Sequence, residues 1–88
     1  MASAERRSSR AYWGTQYARF RRLLIAAREG AGLSQREAAA VIGRSQSFIA
    51  KSESGERRVD VVELAEFARI YRVPLQALVP GSLSVRRS

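Results

Sequence analysis

From about Gln16 to Tyr71 the apolar residues of this chain recur every three to four positions, in separate blocks, and nowhere alternate for long enough to suggest a strand. Phe20, Leu24 and Ala27 form the first stripe, with Leu23 beside it, while Arg19, Arg21, Arg22 and Arg28 take the remaining faces. This is the pattern of an amphipathic helix over about Gln16–Glu29. Gly30-Ala31-Gly32 ends it, because glycine tolerates the left-handed conformation of a helix C-terminus. Ser34 and Glu37 have the spacing of a capping box, in which each side chain satisfies the other residue's backbone N–H. The helix they open runs to about Ile42, and Gly43-Arg44 turns the chain. Ser45 caps a third helix that ends before Gly55. Asp60 and Glu63 repeat the cap geometry and open a fourth, to about Tyr71, with the stripe Val61, Leu64, Ala65, Phe67, Ala68 and Tyr71. Pro74 suits the first position of a short fifth helix, from which Leu75 and Leu78 turn inward, and Pro80-Gly81 closes the fold. The expected architecture is all-α, with five compactly packed helices.

The flanks differ in character. Residues 1–15 read as a flexible basic N-terminal arm, residues 16–80 as the folded domain and 81–88 as a flexible tail. Tyr12, Trp13 and Tyr17 are the aromatic residues that precede the core, and they are expected to pack on it or on a partner. Arg6, Arg7 and Arg10 give the arm the character of segments that follow a DNA minor groove.

Composition narrows the function. The chain of 88 residues carries 16 basic side chains against 8 acids, a formal charge of +8, and all the basic ones except Lys51 are arginine. A small domain so charged attracts polyanions, nucleic acid first, and the planar guanidinium fork matches phosphate and guanine edges. Cysteine and histidine are both absent, which removes disulfides, thiolate or imidazole metal sites and histidine acid–base chemistry. No nucleophile–base pair, Gly-rich phosphate loop or carboxylate pair of defined spacing is present, so no enzyme, metal or cofactor is expected. No run approaches a membrane span, and no apolar run follows the charged start, so the expected location is cytoplasmic.

The segment Leu33–Gly55 holds two short serine-capped helices joined by a turn containing Gly43, the pattern of a helix-turn-helix whose second helix lies in the DNA major groove. Together with its surroundings it resembles the phage-repressor-like (Cro and Xre type) helix-turn-helix transcription regulators. The resemblance spans roughly Phe20–Leu78. It is carried by Leu33-Ser34-Gln35, Ala39, Gly43, Ser45-Gln46-Ser47, Ile49, Glu53-x-Gly55 and Val73-Pro74-Leu75-x-x-Leu78. Ala39 suits a close helix crossing, Gly43 a permissive turn and Ile49 a core position, with Phe48 half buried beside it.

The resemblance implies a lambda-repressor-like fold and a recognition helix over about 45–54. It implies base contacts from Gln46, Ser47, Ala50 and Lys51, and phosphate contacts from Gln35, Arg44, Ser45, Arg57 and Arg58. It implies an internal ion pair between Arg28 and Glu53. The expected function is sequence-specific DNA binding by a regulator, a repressor, acting as a homodimer on a palindromic operator. The dimer surface would use Leu75, Leu78, Val79, Leu83 and Val85, with the aromatic N-terminus second. The alternative is an antitoxin or accessory module whose main partner is another protein. Three positions depart from the family pattern: Ala38 and Ser52 stand where larger apolar residues are usual, and Val41 where a solvent-facing one is.

Overall fold

The computed structural model describes residues 2–81 as an all-helical unit. Among the described residues four α-helices follow one another, α1 (Ala2–Gly30), α2 (Gln35–Ile42), α3 (Gln46–Ser54) and α4 (Val61–Tyr71), and a 3₁₀ turn spans Leu75–Leu78. The caps explain the boundaries. Ser34 Oγ accepts from Glu37 N at 3.0 Å while Glu37 Oε1 accepts from Ser34 N at 2.9 Å. Asp60 and Glu63 form the same reciprocal box at the start of α4. Ser45 Oγ accepts from Phe48 N at 3.1 Å and opens α3.

Two boundaries differ from the sequence expectation. Helix α1 begins at Ala2 rather than near Gln16, so the segment read as an arm, with Arg6, Arg7 and Arg10 in it, belongs to the helix. No proline interrupts this stretch, and alanine, arginine and glutamate are strong helix formers. Its polar composition leaves no apolar stripe for periodicity to detect. The expected fifth helix is a four-residue 3₁₀ turn, with Pro74 at its cap rather than in its first helical position. Pro80, which has no N–H to donate, holds Val79 extended and stops the turn from growing. The tail residues Leu83 and Val85 lie outside the described residues.

The core lies between all four α-helices and the 3₁₀ turn. Leu24, Ile49, Phe67 and Leu78 are fully buried at its centre, each contributing about 1.5–3 kcal/mol by removal from water. The rings of Phe48, Phe67 and Tyr71 stack in series with centroids 5.8 and 5.7 Å apart. Phe48 is therefore buried, not half buried. Ala38 and Ala39 are buried in α2 where it meets α3. Ser52 is also fully buried, and its hydroxyl donates to Phe48 O at 2.7 Å, which explains how a polar residue stands at this apolar position. In α4 the inward stripe is Leu64, Phe67, Ala68 and Tyr71, joined by Ile70. Val61 is 73 % exposed and Ala65 is exposed as well. Val61 sits in the first turn, beyond the edge of the core, and Ala65 falls outside the i, i+3, i+4, i+7 row that begins at Leu64.

Gly43 and Gly55 end α2 and α3 with φ of +79° and +86°, a left-handed conformation that costs a residue bearing a Cβ about 1–2 kcal/mol. They differ in their surroundings. A Cβ on Gly43 meets nothing within 4 Å, whereas one on Gly55 falls 2.9 Å from Arg21 Nε. Arg21 Nη1 there donates to the carbonyls of Glu53 and Ser54 at 3.3 and 3.0 Å. Gly43→Ala is expected to cost about 1–2 kcal/mol. Gly55→Ala should cost about 1 kcal/mol more, because Arg21 must leave its charged hydrogen bonds. Urea denaturation of both variants checks this, and equal losses would show that Arg21 yields freely.

Candidate nucleic-acid interface

Helix α3 is braced from behind and polar in front. Its inward face supplies Phe48, Ile49, Ser52 and Glu53 to the interior. Gln46, Ser47 and Lys51 are exposed on the other side, with Ala50 half buried beside them. A helix so divided presents a mixed amide, hydroxyl and ammonium surface whose position is set by apolar packing.

The brace is a hydrogen-bonded chain. Arg28 Nε and Nη2 donate to Glu53 Oε2 and Oε1 at 2.6 and 3.2 Å, and Arg28 Nη1 donates to Leu33 O at 2.8 Å. The two side chains are 12 and 6 % exposed. Hydrogen bonding to the Glu53 carboxylate raises the Arg28 pKa and keeps the guanidinium charged. Gln35 Nε2 donates to Glu53 Oε1 at 2.9 Å, and Gln46 Nε2 donates to Gln35 Oε1 at 3.0 Å. The chain thus runs from α1, through the end of α3 and the first turn of α2, to the exposed start of α3. Tyr71 Oη is buried without a hydrogen-bond partner among the described residues; burial, with the nearby Glu53 carboxylate, pushes the Tyr71 hydroxyl up to about 12.

The arginines flanking α3 are not equivalent. Arg57 is tied bidentately to Glu63 at 2.8 and 2.7 Å and lies 4.5 Å from the Phe48 ring centroid. Those hydrogen bonds from Arg57 hold the Glu63 carboxyl below its ordinary value. Arg44 lies over the same ring at 4.0 Å and reaches Glu63 Oε2 at 3.9 Å. Arg58 stands apart from this cluster, its guanidinium 4.2 Å above the Tyr17 ring. Tyr17 Oη in turn accepts from Val59 N at 3.1 Å, so α1 anchors the loop that follows α3. Ser45 and Gln35, besides their internal bonds, stand at the N-termini of α3 and α2, where backbone N–H groups and the helix dipole favour an anion.

Sequence reasoning missed Arg21, Tyr17 and Glu63 as groups that position this surface. Arg21 and Arg28 stand seven residues apart on α1, one face of the helix, and that spacing was the available signal for the pair. Among the described residues no helix is long and apolar enough to cross a membrane, and no group of three acidic, histidine or cysteine side chains is arranged to hold a metal.

Comparison with known proteins agrees with this geometry. A helix-turn-helix domain family matches residues 19–80. The chain is similar to a solved structure described as an XRE-family like protein from Pseudomonas syringae pv. tomato str. DC3000. The two share 39 % identity and a TM-score of 0.76, over 81 % of this chain and 87 % of that one. No curated protein matches. The chain belongs to the Cro/Xre type helix-turn-helix family of DNA-binding regulators.

Proposed function

We propose that the protein is a sequence-specific transcriptional repressor that binds a palindromic operator in the cytoplasm as a homodimer. Helix α3 enters the major groove, with Gln46, Ser47, Ala50 and Lys51 at base edges. Gln35, Arg44, Ser45, Arg57 and Arg58 hold phosphates, with residues 16–80 as the binding unit. The observation that carries this reading is the Gln35–Gln46 amide pair, an ordered polar couple at the exposed start of α3. An amide offers a donor and an acceptor side by side, which is what adenine offers in return. Arg58, stacked on Tyr17 and without a carboxylate partner among the described residues, is the readiest of the flanking cations for phosphate. Arg57 reaches phosphate only in competition with Glu63.

One recognition helix covers a few base pairs, so specificity calls for two copies with half-sites about 10–10.5 bp apart or a multiple of that. Exposed apolar side chains support a homodimer. Trp13 is 57 % exposed beside a groove that Phe20, Val61, Leu64 and Pro80 also line, and Leu75 is exposed on the 3₁₀ turn. Leu78, expected on that surface, is instead fully buried. A second reading, with another protein as the main partner, has one observation in its favour. Val41 is 54 % exposed on α2, against a hollow lined by Ala27, Ile70 and Val73.

Gln46→Ala is expected to relax base preference at one position of each half-site, at a cost of about 1–3 kcal/mol against the preferred base. Binding selection from random duplexes, run on the variant and the parent together, checks this. An unchanged preference profile rejects Gln46 as a base reader.

A further inference from the structure

Gln46 and Glu53 stand seven residues apart on α3, about 10 Å along its axis, too far for direct contact. Gln35 fills the gap between them. The chemistry of this bridge has a direction. A carboxylate only accepts hydrogen bonds. Glu53 is held by Arg28 through both oxygens, and Oε1 also accepts a hydrogen bond from Gln35 Nε2. A Gln35 amide turned end for end would aim its carbonyl at a carboxylate, acceptor against acceptor, and lose that bond. The nitrogen end of Gln35 therefore faces Glu53, and its oxygen end faces α3. There it accepts from Gln46 Nε2. Gln46 thus spends one amide proton inward and retains one N–H and its carbonyl for what lies outside.

We propose that Glu53, locked by Arg28, sets through Gln35 the order in which Gln46 offers donor and acceptor to DNA, and so acts as a positioning residue for base preference. The proposal rests on Gln46 reading a base, as argued above. Adenine presents N7 as acceptor and N6 as donor side by side in the major groove, so an amide of set polarity matches it in one order. An amide released from Gln35 rotates between two orders and separates A·T from T·A less well. Glu53 touches no base; it acts at a distance by holding a hydrogen-bond direction.

Gln35→Met tests this without disturbing the Arg28–Glu53 pair. Binding selection from random duplexes is run on the parent, Gln35→Met and Gln46→Ala. Side-chain amide resonances of the free parent are recorded in parallel. In the parent the Gln35 amide protons should show nuclear Overhauser contacts to the Glu53 side chain. In Gln35→Met the A·T over T·A discrimination should fall about fivefold or more at the position that Gln46→Ala flattens, which corresponds to about 1 kcal/mol. Preferences elsewhere in the half-site should persist. If Gln46→Ala flattens a position at which Gln35→Met keeps full discrimination, the relay is wrong and the base contact stands. If Gln46→Ala flattens nothing, the base contact falls and the relay with it. Gln35 amide protons found against Gln46 instead of Glu53 would overturn the direction assigned here.

Discussion

Glu53→Ala is expected to remove about 3–5 kcal/mol of folding stability, the cost of leaving one member of a buried ion pair without its partner. Arg28 and Glu53 are 12 and 6 % exposed, so water replaces the lost carboxylate poorly. Arg28 would keep only the Leu33 carbonyl, and Gln35 would lose the acceptor that orients it. Small domains are stable by about 5–15 kcal/mol in total, so the variant should be partly unfolded in mild urea. The double variant Arg28→Met/Glu53→Leu should recover much of the loss, because apolar residues of similar volume carry no desolvation penalty. Urea denaturation followed by helical circular dichroism measures both. A loss below about 1 kcal/mol for Glu53→Ala would place the pair with exposed ion pairs of little consequence.

DNA affinity should fall by roughly 10³–10⁵ between 50 and 200 mM salt if the dimer makes about 6–10 phosphate contacts. The formal charge of +8 supplies the attraction. Its distribution decides which side chains set the slope. Arg58→Ala should weaken binding to cognate and random duplexes alike, and reduce the slope by about one ion for each copy bound. Arg57→Ala should flatten it less, because Glu63 already neutralises that guanidinium in the free protein. Titrations at several salt concentrations separate the two. A loss confined to the cognate sequence would make Arg58 a base-reading residue, and equal slopes for the two variants would show that Glu63 releases Arg57 on binding.

What the sequence made legible was local. Ser34 with Glu37, Ser45, and Asp60 with Glu63 announce helix starts because a cap acts over three residues, within reach of pattern reading. Gly43 announces the turn for the same reason. The core stripe of α1 was legible because Phe20 and Leu24 repeat with the helical period. The remainder depends on contacts between residues distant in the chain. Nothing local in Arg57 distinguishes it from Arg58, yet one pairs with Glu63 and the other stacks on Tyr17. Arg21 looks like a solvated face until Gly55 brings the end of α3 beneath it. The Val61 position fits the apolar period of α4, but the core ends before reaching it. Helix α1 extends to Ala2 through a stretch whose sequence holds no apolar stripe, so the helical period carries no signal there.

The central claim is that α3 reads sequence as one of a symmetric pair. Selection of bound sequences from a random duplex pool with the purified protein, at about 150 mM salt, tests it most directly. Enrichment of an inverted repeat, with half-sites about 10–10.5 bp or a multiple of that apart, is the expected result. Binding with no enriched motif would contradict it, leaving a basic domain that holds DNA through its phosphates alone.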